Sequence, residues 1–285
     1  MASIHDQVAA GRQRLREAGI PADQAGLDAR LIAQSVLDWT TERFLTSGAE
    51  AGTDDFAREY GARLGRRAGR EPLAYILGQR EFWGLAFEVT HAVLIPRPET
   101  ELIVETALDL YRDFSRPLAI ADVCTGSGCI AIALAHERPA VRAVATDISN
   151  AALVVAERNA VRHGVADRVR FMRADLLDGL PGPFDLIVCN PPYVREPDRP
   201  ALQPEVRDHE PEVALFGGVD GLDLIARLVA DTPARLAPGG YVLFEFGNGQ
   251  DEAVEDLIAA ASGFRLVELR RDLQGIARTA VVERV

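Results

Sequence analysis

The chain has 285 residues, of which 48% are hydrophobic and 26% are charged, a composition typical of a globular protein with enough length for two domains. Its formal net charge of −12 disfavours direct binding of duplex nucleic acid, because an acidic surface repels a phosphate backbone. No apolar run reaches the ~20 residues that cross a bilayer, and the N-terminus has no apolar signal core. We therefore expect a cytoplasmic protein with no membrane partner.

Residues 1–79 show the apolar spacing of helices and predict a small helical domain. A first helix should end at Gly19, and a third should begin after Thr53 as its N-cap, with a short helix following it. The second helix, over residues 22–39, should bury a stripe formed by Leu27, Leu31, Val36 and Trp39. Charge in this part of the chain is balanced, with 11 arginines and 11 acids in residues 1–80.

Residues 80–96 change to the alternating, aromatic-rich pattern of strands around Gly84 and predict a β-hairpin linker. Phe82 and Trp83 in this linker are expected to be exposed. A further helix should follow over residues 101–114, near the start of a second domain that covers residues 97–285.

The second domain alternates strands with helical segments, which predicts an α/β fold with a doubly wound, mainly parallel sheet. Helices are expected between the first five strands. The last two strands are separated only by Leu-Gln-Gly-Ile and should be antiparallel. The seven expected strands cover residues 118–123, 142–147, 169–175, 185–190, 240–246, 264–272 and 277–284.

A glycine-containing loop follows the first of these strands and opens a helix. Gly126 and Gly128 allow a tight turn and close approach of a ligand, and Asp147 lies 19 residues after Gly128, where a carboxylate could grip ribose hydroxyls. The loop predicts a site for an adenosine-containing cofactor, and an NAD enzyme fits it as well as other classes do. The loop residues expected to bind the cofactor are Cys124, Thr125, Gly126, Ser127 and Gly128.

Two further strand ends carry polar groups that should face the same crevice. Asp175, followed by Leu176, ends the third strand and could accept a hydrogen bond from an adenine amine, with a helix N-cap as the alternative. Asn190 ends the fourth strand and opens Asn-Pro-Pro-Tyr. Because ligands of open α/β sheets bind outside the carboxyl ends of the strands, these groups can meet at one site.

The Asn-Pro-Pro-Tyr segment suits methyl transfer from S-adenosyl-L-methionine to a planar amino group. The side-chain carbonyl of Asn190 and the main-chain carbonyl of Pro191 can together accept both hydrogens of an NH₂ group. Pro192 fixes the backbone, and Tyr193 could stack on a flat substrate group. The motif alone leaves open an adenine or cytosine amine and a glutamine or asparagine amide. No metal ligand set is expected, since the three cysteines and five histidines lack metal-ligand spacing.

These motifs together resemble the release-factor glutamine methyltransferases (PrmC/HemK family) over nearly the whole chain. The resemblance rests on the segments at residues 71–101, 122–135, 145–147, 190–193, 221–229, 239–250 and 272–278. The Leu-Ile-Pro-Arg-Pro-Glu-Thr block at residues 94–100 is the most specific of these. Cys124 departs from the pattern, because many methyltransferases have a glycine there.

The resemblance implies methylation of the side-chain amide nitrogen of the glutamine in the Gly-Gly-Gln motif of class 1 peptide chain release factors. S-adenosyl-L-homocysteine would be the product, and the helical domain would help to dock the protein substrate. Arg97 and Glu99 would line the substrate site, unless they form a structural Arg–Glu pair, and Glu245 would stand behind the reacting groups. The alternatives are a methyltransferase acting on an adenine amine of nucleic acid and a non-catalytic binding protein.

Overall fold

The computed structural model describes residues 2–285, which separate into two compact units. The first unit contains the chain up to Gly78 together with Gln203–His209, and the second contains Gln79–Leu202 and Glu210–Val285. Within the described residues, no helix is long and apolar enough to cross a membrane. The domain limits taken from the sequence stay a prediction.

The first unit is helical. Ser3, Thr40 and Thr53 cap three of its helices through side-chain oxygens that accept a backbone N–H, and the predicted cap at Thr53 is confirmed at 3.1 Å from the N–H of Phe56. The short helix that begins at Thr41 was not predicted from the sequence. The helices, numbered in chain order, are α1 (Ile4–Glu17), α2 (Ala22–Leu37), α3 (Thr41–Ser47), α4 (Asp54–Ala68), α5 (Leu73–Leu77) and, much later in the chain, α9 (Pro204–His209).

The predicted buried stripe of α2 is wrong in part. Leu27 is 45% exposed and Leu31 is only half-buried, whereas Val36 and Trp39 do pack against the helical core. The buried positions are Ala25, Asp28, Ala29, Ile32, Ala33 and Gln34. Small alanines let α2 lie close to its neighbours α1 and α4, and such a face escapes an analysis that looks for large apolar side chains.

A buried arginine joins α9 to the other helices of this unit. Arg67 is 1% exposed, and its Nε donates to Asp28 Oδ2 at 2.7 Å while its Nη1 donates to Glu205 Oε1 at 3.0 Å. The second oxygen of Glu205 accepts from Arg70 Nη2 at 2.7 Å. Because a buried charge left unpaired is costly, these contacts fix the position of α9 within the unit.

The second unit begins with the predicted hairpin, in which β1 (Gln79–Phe82) pairs antiparallel with β2 (Leu85–Glu88). Trp83 and Gly84 both have positive φ, 53° and 69°, as a tight hairpin turn requires. Phe82 is 1% exposed and packs against the ring of Phe87, so its expected exposure is wrong: it points into the core rather than to solvent.

The seven-stranded sheet is confirmed, with the strand order β5-β4-β3-β6-β7-β9-β8. The first four pairings in that order are parallel, and β9 is antiparallel to both of its neighbours, as predicted for the last pair. Its strands are β3 (Leu118–Val123), β4 (Val141–Asp147), β5 (Val169–Arg173), β6 (Phe184–Cys189), β7 (Leu236–Glu245), β8 (Phe264–Arg271) and β9 (Ala277–Arg284). Its helices are α6 (Glu101–Leu110), α7 (Cys129–Glu137), α8 (Asn150–Arg162), α10 (Asp223–Asp231) and α11 (Asp251–Ala260).

One expected helix is missing. Residues 176–183, between β5 and β6, form turns and irregular backbone, although a helix was predicted between these strands. The segment contains two glycines and two prolines, and proline both removes a backbone N–H and restricts the residue before it. The other strand limits differ from the prediction by at most two residues, except that β7 begins four residues earlier, at Leu236.

Candidate active site

A cavity of about 210 Å³ opens at the carboxyl ends of the central strands of the second unit. The cavity lies at β3, which has β4 on one side and β6 on the other. From β3 the chain adds β4 and β5 on one side and then crosses over to add β6 on the other side, so the strand order reverses at β3. Ligands of open α/β sheets bind at such a reversal of strand order. The lining includes Cys124, Thr125, Gly126 and Ser127 after β3, Asp147 at the end of β4, Asp175 and Leu176 after β5, Asn190 and Pro192 after β6, and Arg97 and Thr100 before α6.

The loop after β3 has the backbone of a ligand-binding turn. Cys124, Gly126 and Gly128 all have positive φ, at 58°, 55° and 82°. A Cβ added at Gly126 would meet nothing within 4 Å, so the loop leaves open space for a ligand there. A Cβ at Gly128 would come within 2.8 Å of Ile132 and 3.2 Å of Ala156, so Gly128 permits close packing of the loop on two helices and is not itself part of the cavity lining.

Asp147 is held in place by the loop that it faces. Its Oδ2 accepts the N–H of Gly126 at 3.0 Å, and its Oδ1 accepts the N–H of Ser149 at 2.9 Å. Burial raises the pKa of Asp147, while the N–H groups of Ser149 and Gly126 act against that rise. Each carboxylate oxygen keeps a lone pair that can accept from a ligand hydroxyl, which is the geometry that ribose binding requires.

Asp122 was missed in the sequence analysis. This carboxylate is fully buried behind the loop, where its Oδ2 accepts the hydroxyl of Thr125 at 2.6 Å and the N–H of Ala131 at 3.1 Å. Burial raises the pKa of Asp122 to about 7. Asp122 therefore ties the glycine loop to the first turn of α7 without lining the cavity, and the signal for it was an acid inside an otherwise apolar strand.

Asp175 and Leu176, which follow β5, lie at the cavity, but one carboxylate oxygen of Asp175 already has a hydrogen-bond partner. Asp175 lines the cavity and its Oδ2 accepts from Arg227 Nη2 at 2.9 Å. Leu176, next to it, is buried and has a positive φ of 51°. A contact between Asp175 and an adenine amine stays a prediction.

The Asn-Pro-Pro-Tyr segment begins at the cavity and ends behind it. Asn190 and Pro192 line the cavity, whereas Pro191 and Tyr193 do not. Tyr193 instead donates its hydroxyl to Glu245 Oε1 at 2.8 Å. Burial, together with the neighbouring charge of Glu245, raises the pKa of this phenol well above its usual range. Stacking of Tyr193 on a substrate group therefore stays a prediction.

Arg97 also lines the cavity, but its partner is not Glu99. Its Nη2 donates to Glu210 Oε1 at 2.6 Å, and Glu210 Oε2 accepts the N–H of Ile95 at 3.1 Å. Glu99 is half-buried and lies outside the lining. The sequence could not identify Glu210, because it lies 113 residues from Arg97.

No cluster of three or more histidine, cysteine or acidic side chains able to hold a metal ion occurs in residues 2–285. The cavity offers instead a glycine loop, the half-buried carboxylate of Asp147 and the amide of Asn190. These groups fit an adenosine-containing methyl donor, and the amide and proline suit an amino-group acceptor.

Two protein-family descriptions match the chain: the PrmC N-terminal domain over residues 6–78, and the Methyltransferase small domain over residues 100–203. Among similar proteins is the release factor glutamine methyltransferase of Bradyrhizobium diazoefficiens, 43% identical over 93% of this chain and 89% of that protein. The protein of the same name from Cereibacter sphaeroides is 41% identical over 95% of this chain and 94% of its own length.

Solved structures show the same fold at low identity. The catalytic domain of hMettl16, in complex with a MAT2A 3′UTR hairpin, has a TM-score of 0.58 and 17% identity over 78% of this chain and 81% of that one. A methyltransferase from Pyrococcus furiosus has a TM-score of 0.53 and 17% identity over 79% of this chain and 98% of that one. This likeness identifies the sheet of the second unit as a methyltransferase fold.

Proposed function

Because this chain belongs to the family of release factor glutamine methyltransferases, we propose that it methylates the glutamine of the Gly-Gly-Gln motif in class 1 peptide chain release factors. The methyl group comes from S-adenosyl-L-methionine and goes to the side-chain amide nitrogen, and the product is S-adenosyl-L-homocysteine. The enzyme works in the cytoplasm, with a protein as its substrate and without a metal.

The observation that carries the proposal is the convergence of two kinds of group on one cavity. The open loop at Gly126 and the carboxylate of Asp147 suit the cofactor, while Asn190, which lines the cavity together with Pro192, suits a planar amide. They come from three different strand ends, and no two of these groups are closer than 20 residues in the chain. If one of these groups had only a structural role, the other groups would not need to lie at the same cavity.

The cofactor supplies an electrophilic methyl group on a sulfonium. The residues of the chain hold and orient the acceptor: Asn190 Oδ1 and the carbonyl of Pro191 accept the two amide hydrogens and so aim the nitrogen at the methyl group. They also stabilise the positive charge that develops on nitrogen as the N–C bond forms and the S–C bond breaks. The nitrogen then gives up one of its hydrogens as a proton.

The second candidate, methylation of an adenine amine in nucleic acid, would use the same two oxygens. The net charge of −12 disfavours this candidate, because a protein binds a phosphate backbone through basic side chains that neutralise the phosphate charges. The structural neighbour solved with a MAT2A 3′UTR hairpin is only 17% identical to this chain in sequence and so argues for the fold alone.

The experiment is transfer of labelled methyl from S-adenosyl-L-methionine to three substrates: an intact release factor, its Gly-Gly-Glu variant, and a single-stranded adenine-containing oligonucleotide. We expect label on the parental release factor only. Label on the oligonucleotide and none on the release factor would support the second candidate. Label on the Gly-Gly-Glu variant would show that the enzyme modifies another residue.

A further inference from the structure

A chain of two hydrogen bonds leads from the cavity to a buried carboxylate. Asn190 Nδ2 donates to Thr100 Oγ1 at 2.9 Å, and Thr100 Oγ1 donates to Glu245 Oε2 at 2.7 Å. The other oxygen of Glu245 accepts the hydroxyl of Tyr193 at 2.8 Å. Thr100 and Glu245 are 2% and 1% exposed, so water does not compete for these bonds.

The direction in which these hydrogen bonds donate follows from the carboxylate of Glu245 at their buried end. An ionised carboxylate can only accept hydrogen bonds, so the single hydroxyl proton of Thr100 must point to Glu245. The oxygen of Thr100 is then left as an acceptor and calls for a donor from Asn190. An amide has its donor and its acceptor on opposite sides, so Nδ2 faces Thr100 and Oδ1 is left for the cavity.

We infer that Glu245 is a positioning residue that acts through Thr100 to present the oxygen of Asn190, and not its NH₂ group, to the substrate. The inference rests on the proposed function and deepens it. Asn190 Oδ1 is then an acceptor, like the carbonyl of Pro191 in the proposed function, and such a pair accepts a primary amide but offers nothing to a carboxylate. Among residues 2–285, no group donates a hydrogen bond to Asn190 Oδ1, so the orientation of the amide is set only by the bond from Asn190 Nδ2 to Thr100.

The surroundings of Glu245 make the carboxylate sensitive to pH. Burial raises the pKa of Glu245 above its ordinary value, and the charge of Glu99 adds to the rise. Thr100, Tyr193 and Arg278 act against it, and the buried thiol of Cys129 also lies near this charge. When pH falls through the raised pKa, Glu245 gains a proton that it can donate. The donor–acceptor direction of the hydrogen bonds through Thr100 to Asn190 is then no longer fixed.

The first test is Thr100→Val, which keeps the shape of the side chain but removes the hydroxyl. We expect kcat on a release factor to fall at least about tenfold, as for loss of an oriented polar group, while the Kd for S-adenosyl-L-methionine stays within about threefold. Thr100→Ser retains the hydroxyl and should restore most of the loss. Thr106→Val is the matched control, because Thr106 is 1% exposed but bonds the carbonyl of Leu102 in its own helix; it should leave kcat unchanged.

A double-mutant cycle separates positioning from a structural role. If Thr100 acts only through Asn190, adding Thr100→Val to Asn190→Ala should not lower kcat further. Glu245→Gln should lower kcat in the same way and remove the acidic limb of the kcat–pH profile. Equal losses in the Asn190→Ala and parental backgrounds, or a parental kcat in Thr100→Val, would overturn the inference. A parental enzyme without methyl transfer would instead refute the proposed function.

Discussion

Three acids stand at or near the carboxyl ends of β3, β4 and β7: Asp122 and Glu245 are buried and Asp147 is half-buried. Their hydrogen-bond partners give them different roles. Asp122 bonds only the loop and the helix behind it, whereas Asp147 both anchors the loop and lines the cavity. The two oxygens of Glu245 accept hydrogen bonds from the hydroxyls of Thr100 and Tyr193. Burial raises the pKa of all three, so each acid would be costly without the hydrogen bonds that it accepts.

Asp147 carries the first prediction. Because hydrogen bonds to a charged group contribute about 1.5–3 kcal/mol, Asp147→Ala should weaken binding of S-adenosyl-L-methionine roughly 10- to 100-fold. Isothermal calorimetry measures this, with Asp167→Ala as the control, since the side chain of Asp167 is 78% exposed and outside the cavity. Parental affinity in Asp147→Ala would remove Asp147 from the cofactor site, and tight binding of NADH alone would indicate an oxidoreductase.

Asp122 predicts a pH dependence of stability. Its pKa is raised from 3.8 to about 7 in the folded protein, so the folded state binds more protons than the unfolded state between these values. Its contribution to stability is complete below the unfolded pKa and is lost as pH rises to about 7. Relative to the parent, Asp122→Asn should therefore gain stability with pH, by up to a few kcal/mol between about pH 4 and pH 8. Urea unfolding at several pH values tests this, and a pH-independent difference would contradict it.

Which site residues the sequence could predict depended on distance along the chain. Asp147 and Asn190 were predicted because each follows a strand whose end can be read locally. Thr100 was not singled out, and Glu245 was placed behind the reacting groups only by the family resemblance, because these partners lie 145 residues apart and meet only in the folded protein. The ion pair of Arg97 with Glu210 was missed for the same reason.

The loop between β3 and α7 depends on Gly128 for two reasons. Its φ of 82° strains any other residue, and an added Cβ would also meet Ile132 and Ala156. Gly164 has a φ of 68° but open space around its Cβ position, so it separates the two costs.

We expect Gly164→Ala to lower the free energy of unfolding by about 1–2 kcal/mol, from backbone conformation alone. Gly128→Ala should cost about 1–3 kcal/mol more, because the new methyl group crowds two helices, and it should also weaken cofactor binding. Urea unfolding of both variants measures the difference. Equal losses would show that the space around Gly128 has no energetic role.

Among the elements, local patterns predicted the strands well and the helical packing less well. The seven strands were predicted from their alternation with helical segments, and the sheet contains each of them. The buried face of α2 was misplaced because alanines, not leucines, form it. Residues 176–183 were predicted to contain a helix only because α/β units usually do, although their glycines and prolines already argued against one.

The division of the molecule into two units suggests how a short motif could select one protein. Gly-Gly-Gln alone is a weak signal, so selection needs a second contact remote from the reacting amide. We propose that the helical unit supplies it. Deleting residues 2–78 should then lower kcat/KM on an intact release factor strongly, while leaving kcat/KM on a short Gly-Gly-Gln peptide within a few-fold.

This deletion also removes Arg67 and Arg70, the partners of Glu205. The control is therefore Glu205→Gln in the full chain, which weakens the same ion pairs but keeps the helical surface. Parental selectivity is expected in this control. Equal losses on peptide and protein after the deletion would mean that the helical unit only stabilises the enzyme.

The most direct measurement is tandem mass spectrometry of a release factor after incubation with this protein and S-adenosyl-L-methionine. We predict a mass gain of one methyl group, assigned by fragmentation to the glutamine side chain of the Gly-Gly-Gln peptide, and no gain with Asn190→Ala protein over the same time. An unmodified Gly-Gly-Gln peptide, or a methyl group on any other residue, would contradict the proposed activity.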